Sequence, residues 1–170
     1  MPVEEFRKCA YDLVDWACDY FQSIESYPVL AKTAPGEIKN ALPKEAPEKG
    51  EKFDSMLKDF KRIIIPGVTH WNHPNFFAYF SITGSIPGIL GDFLSTVLNI
   101  NGMLWKTCPS ATELEETVVE WAKKLLGIPA EFFGMITDTA SVSTLHALTA
   151  AREKCSGLEI RVKGFSRGAD

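Results

Sequence analysis

The chain has no apolar run long enough to span a bilayer, no C-x-x-C pair, no Walker loop, no G-x-S-x-G and no paired dinucleotide glycines. Each absence removes a class of function. The longest apolar-rich stretch, 86–100, is interrupted by Asp92, Ser95 and Asn99, so no membrane helix is expected. The four cysteines, Cys9, Cys18, Cys108 and Cys155, have no metal-type spacing and read as free thiols in a reducing, cytoplasmic setting. Lysine and arginine form no long cluster and the formal net charge is −4, which argues against nucleic acid as a main partner. Glu4, Glu5, Arg7 and Lys8 are mixed with single apolar residues at the N-terminus, unlike a signal peptide. His70 and His73 stand three apart with no third ligand nearby, so no metal site is expected.

What is present is an ordinary globular composition, 45% hydrophobic and 24% charged over 170 residues, enough for one domain. Residues 3–24 read as an amphipathic helix with Phe6, Ala10, Leu13, Ala17 and Phe21 on one stripe. Pro28, Pro35, Pro43 and Pro47 make the next stretch an extended connector, with room for one short turn at 36–42. A helix through Phe53, Met56, Leu57, Phe60 and Ile64 stops at Pro66 and Gly67. Ser85 is the expected N-cap of a helix running to about Ile100. Ser110 and Glu113 match a capping box opening the next helix, which Gly127 and Pro129 end. Residues 132–137 (FFGMIT) read as a strand, followed by a polar turn and a helix from about Ala140 to Gly157. Alternation over 158–163 suggests a last strand or extended edge, and the closing FSRGAD carries no stop signal.

Two places could carry chemistry. The turn at Asp138, Thr139, Ala140 and Ser141 opens a helix, and a helix N-terminus can hold an anion such as phosphate. Thr139 or Ser141 serves equally well as a plain N-cap, which the pattern alone favours. The segment 70–87 gathers Trp71, Phe76, Phe77, Tyr79 and Phe80 before a Ser/Thr/Gly stretch over 81–85. That makes it either a knot of core packing or the wall of a site for a planar ligand, with composition favouring packing.

The runs GVTHWNHPNFFAYF (67–80), GSIPGILGD (84–92) and CPSATELEETVVEWAKKLLGIP (108–129) resemble the group II pyridoxal-phosphate-dependent decarboxylases. These are the aromatic-L-amino-acid, DOPA, tyrosine and tryptophan decarboxylases. The likeness extends from about Pro2 to Arg152, and ITDTASVSTLHAL (136–148) fits a bacterial-type version. It implies an α/β fold of type I. Residues 1–84 would then be a helical dimerisation and flap segment, and 85–170 the start of the cofactor-binding large domain. On that comparison this stretch is mostly helical with the first strand–helix unit of the large domain, and helix 3–24 covers a partner chain in a homodimer.

The resemblance further implies that Thr139, Ala140 and Ser141 hold the phosphate of pyridoxal 5'-phosphate. Tyr79, Phe80 and Ile82 would face the amino-acid substrate, and Asn101 and Met103 would reach into the opposite subunit's site. Ile82 stands where animal enzymes commonly have a hydroxyl residue, and Asn101 and Met103 replace apolar or aromatic side chains, which bears on substrate identity. The Schiff-base lysine, the ring-stacking histidine and the aspartate at the ring nitrogen are expected beyond Asp170, since none of the 13 lysines lies in an Asn-x-His-Lys-Trp run. The implied activity is decarboxylation of aromatic amino acids to an amine and carbon dioxide, with this stretch alone inactive. An aromatic aldehyde synthase or a decarboxylase of non-aromatic acids shares the same region, and a non-catalytic dimerisation module is the alternative of another class.

Overall fold

Prolines and glycines divide the chain into helices of very different length, from 4 to 20 residues. In a computed structural model, residues 1–80, 82 and 84–164 are described, and among them the regular structure is helical with no strand. Helix α1 is Val3–Gln22, with Glu4 and Glu5 in its first turn, where acidic side chains complement the helix dipole. The proline-rich connector holds only the short helix α2, Glu37–Ala41. Helix α3, Phe53–Asp59, passes into a π-type turn, Phe60–Ile64, and a 3₁₀ turn, Ile65–Gly67, where Pro66 ends the ladder. Helices α4 (Ile86–Val97), α5 (Pro109–Leu126), α6 (Ala140–Ser156) and the single turn α7 (Ile160–Lys163) follow. The chain divides into two compact units, Met1–Asp92 and Phe93–Asp170, with the division inside α4.

In the first unit α1 packs through a face other than the expected stripe. Cys9 is buried, and Trp16 meets Phe60 edge-on at 5.1 Å while stacking on Tyr20 at 5.6 Å. Positions 9, 16 and 20, spaced seven and four apart, therefore share the inward face. Of the expected stripe, Phe6 and Leu13 are exposed, and Ala10, Ala17 and Phe21 are half-buried. Ser85 caps α4 as expected, its Oγ accepting from the Gly88 N–H at 3.1 Å. The apolar face of α4 itself stays open, Leu90, Phe93, Leu94 and Val97 all being exposed.

In the second unit the expected capping box does not form. Helix α5 begins two residues earlier than that box implies, at Pro109 with Cys108 as N-cap, and the missing proline N–H costs nothing at that position. Glu113 instead accepts a 2.9 Å hydrogen bond from the Trp105 indole. Both long helices end on a left-handed glycine. Gly127 (φ 66°) lets Ile128 N–H reach Lys123 C=O at 2.9 Å, and Gly157 (φ 56°) lets Leu158 N–H reach Glu153 C=O at 3.0 Å.

The strand expected over 132–137 is irregular backbone, because a ladder needs a neighbour to exchange hydrogen bonds with and none lies alongside among the described residues. A side chain substitutes for one: Ile136 N–H donates to Glu115 Oε1 at 2.8 Å. The last expected strand is replaced by α7. Arg161 reaches back from this turn to the buried Glu153 at 2.8 Å, beside Arg152, and the two guanidiniums hold that carboxyl below its usual range. The closing residues 165–170 lie outside the described residues.

Among the described residues the buried apolar side chains are Cys9, Ile63 and Phe76. Backbone approach is nevertheless tight at Gly134, where an added Cβ would sit 2.5 Å from Val119 Cγ1 on α5. Valine is stiff at χ1, so a methyl group there must displace the segment. Gly134→Ala is expected to destabilise by about 1–3 kcal/mol, whereas Gly91→Ala in α4, with nothing within 4 Å of the new methyl, is expected to be neutral or to stabilise by up to about 1 kcal/mol. Urea unfolding of the two variants checks the contrast.

Candidate functional site

The histidines at the head of the aromatic segment act as structural pins. His70 is 2% exposed, and its Nδ1 shares a 2.8 Å hydrogen bond with the Tyr20 hydroxyl of α1. The rings of Tyr20 and Tyr27 lie against it at 5.6 and 4.8 Å. Its N–H donates to Val29 C=O at 3.0 Å, and its C=O accepts from His73 N–H. His73 is also buried, and its Nδ1 accepts from Asn75 N–H at 3.0 Å, which leaves the neutral ring's proton on Nε2. Phe76 is buried behind them. No group of three or more metal-ligating side chains occurs among the described residues.

The second half of the segment turns outward. Trp71 stacks on Phe76 at 4.6 Å and on Tyr79 at 5.7 Å, the latter with 8° between planes. Tyr79 adopts a left-handed backbone, φ 56°, which a side chain disfavours. Tyr79, Phe80 and Ile82 are 88%, 92% and 72% exposed. Asn72 Oδ1 accepts from Gly84 N–H at 3.4 Å. The segment is thus a packed base carrying open rings, so packing and exposure occur in successive halves of one stretch. Ser81 and Thr83 of the Ser/Thr/Gly stretch lie outside the described residues.

Asn101 and Met103 belong to the second unit and to one turn. Met103 N–H donates to Asn101 Oδ1 at 3.0 Å, and Thr107 Oγ1 donates to Asn101 C=O at 3.0 Å. The Asn101 amide oxygen is therefore engaged by its own backbone turn, while the Met103 side chain is exposed.

Thr139 is the N-cap of α6, its Oγ1 accepting from Val142 N–H at 3.2 Å. Ser143 N–H bonds the Thr139 carbonyl, and Ser143 Oγ is hydrogen-bonded to Thr137 Oγ1. The next two residues, Ala140 and Ser141, form the exposed first turn, where helix geometry leaves the amides without intrahelical partners. An anion with several acceptor oxygens suits this turn, through two amides, the Ser141 hydroxyl and the helix dipole. The Thr139 oxygen is engaged in the cap, so of the three expected residues Ala140 and Ser141 have the most free capacity.

The description "Pyridoxal-dependent decarboxylase conserved domain" fits residues 35–163. The chain belongs to this family. Pyridoxal phosphate is the family's cofactor, and the fold is that of its solved members. Tryptophan decarboxylase 2 of Oryza sativa subsp. japonica is 44% identical over 160 residues, 91% of this chain and 32% of the relative. Phenylacetaldehyde synthase of Arabidopsis thaliana is 42% identical over 160 residues, 91% of this chain and 33% of the relative. The crystal structure of Catharanthus roseus tryptophan decarboxylase in complex with L-tryptophan superposes with a TM-score of 0.86 at 42% identity, covering 91% of this chain and 35% of that one. The chain spans about a third of the length of the relatives it matches. No helix among its described residues is long and apolar enough to cross a membrane.

Sequence reasoning missed Tyr20 and Tyr27 as the partners of His70, and Glu115 as the acceptor for Ile136. Contacts across 50 and 21 residues leave no local pattern. Burial, with the neighbouring His73 second, lowers the His70 pKa. Its neutral form is favoured when folded, so its stabilising contribution is present above the unfolded value of about 6.5 and is lost as pH falls through the lowered folded value. The urea midpoint of the chain is expected to fall between pH 7 and pH 5.5, with a shallower fall in His70→Phe. An equal fall in the two proteins would contradict the assignment.

Proposed function

We propose that these residues are the N-terminal part of a pyridoxal-phosphate-dependent L-amino-acid decarboxylase acting on aromatic substrates and releasing carbon dioxide and an amine. The observation that carries this reading is the continuous match over 91% of the chain to enzymes of that chemistry. The Ala140 and Ser141 amides and the Ser141 hydroxyl hold the cofactor phosphate, with Thr139 fixing the turn. When bound, the cofactor supplies the ring that takes up the electrons released as the carboxylate leaves. Tyr79, Phe80 and Ile82 form one wall for the substrate side chain, and Asn101 and Met103 serve the site of the other subunit in a homodimer. Residues 1–84 act as the dimerisation and flap segment and 85–170 open the cofactor domain. The setting is cytoplasmic amino-acid metabolism.

A second reading is an aromatic aldehyde synthase, favoured by the 42% identity to phenylacetaldehyde synthase. Product analysis separates the two: an amine supports the decarboxylase, an aldehyde the synthase.

In a polypeptide that joins these residues to the remaining two thirds of the family sequence, carbon dioxide release from L-tryptophan or L-tyrosine is expected. Residues 1–170 alone should release none with cofactor added, and carbon dioxide from them would overturn the division of labour. Ser141→Ala should weaken cofactor binding about tenfold, the effect of losing one hydrogen bond to a charged group. Ile82→Thr should shift the ranking of amino-acid substrates while cofactor affinity stays within twofold. An unchanged ranking would remove Ile82 from the wall.

A further inference from the structure

Tyr79 sits in a backbone conformation that its own β-carbon opposes, with its ring 88% exposed. Something outside its peptide must hold it there. The visible support is Trp71, parallel to it within 8° and itself stacked on buried Phe76. Trp71 follows His70 directly, and His70 is held by groups from elsewhere in the unit. Val29 C=O takes its N–H, and the Tyr20 hydroxyl of α1 bonds its Nδ1 at 2.8 Å. A continuous line of contacts therefore runs from α1 through His70 and Trp71 to the exposed ring of Tyr79, all within the first unit.

We propose that Tyr20 is a positioning residue for the substrate wall, acting through its hydrogen bond to His70 to set the Trp71–Tyr79 stack. The inference rests on the reading that Tyr79 and Phe80 face the substrate. Tyr20 touches no reacting atom, so its effect is on how the wall meets the substrate and not on the chemical step. The ring of Tyr20 has a separate packing role against Trp16, Phe21 and Tyr27. Replacing it by phenylalanine removes only the hydroxyl and leaves those ring contacts in place.

The test compares Tyr20→Phe, His70→Phe and the double variant in the complete enzyme with L-tryptophan, alongside Phe80→Ala. Tyr20→Phe is expected to raise KM three- to tenfold with kcat and cofactor affinity within twofold. The double variant should match His70→Phe alone, because both substitutions cut the same link. Amide hydrogen exchange in a peptide covering 76–80 should quicken in Tyr20→Phe, a readout that needs no turnover. Multiplying effects in the double variant would overturn the proposal, as would a KM, kcat and cofactor affinity that all worsen together. If Phe80→Ala raises KM and Tyr20→Phe does not, the wall stands and the positioning role falls. If Phe80→Ala also leaves KM unchanged, the wall reading fails and takes this inference with it.

Discussion

The first unit depends on one buried polar contact, the hydrogen bond between Tyr20 and His70. A histidine that is 2% exposed has lost its water, and an unmet ring nitrogen in that position would cost about 1–3 kcal/mol. The tyrosine hydroxyl supplies the missing partner and ties α1 to a segment 50 residues away. From that point the aromatic rings are arranged in order of decreasing burial: Phe76 buried, Tyr27 half-buried, Trp71 more open, Tyr79 and Phe80 fully in the open. The gradient lets one short stretch be both a packed base and an open aromatic face.

The second unit is organised differently. Few of its side chains are buried, and much of its order is local: a threonine cap, two glycine stops, and carboxylates bridging to nearby groups. Lys123 shows the pattern, its buried ammonium reaching both Glu120 and the Ala130 carbonyl and so fixing the turn after α5. The apolar faces of α4 and α5 are left open, with Leu90, Phe93, Leu114 and Trp121 exposed.

Features with local causes were legible in the sequence. The Ser85 cap, the glycine stops at 127 and 157, and the helix from Ala140 all depend on residues within one or two turns. The capping box at Ser110 misled because Pro109 starts the helix first and a tryptophan eight residues away competes for Glu113. The two strands failed for another reason. Apolar content over 132–137 records a preference for pairing, and pairing needs a second strand that the described residues do not supply. Of the site, the residue types at 139–141 and in the aromatic segment allowed a phosphate and a planar ligand but favoured a plain cap and core packing, and which oxygen was engaged in the cap, and which ring was held by which neighbour, became visible only in the structure.

The paired glycine stops have a consequence for how this stretch tolerates change. At each, the exit direction of the chain is fixed by a hydrogen bond from the second residue past the helix back into its last turn. That part of the instruction sits in the backbone and in one missing β-carbon, and side chains of α5 and α6 such as Lys123, Glu115 and Glu153 add their own hold on the segments that follow. Exposed residues on these helices that make no such contact can therefore change while the segments that follow leave along the same path. Such an arrangement keeps geometry heritable when sequence is not.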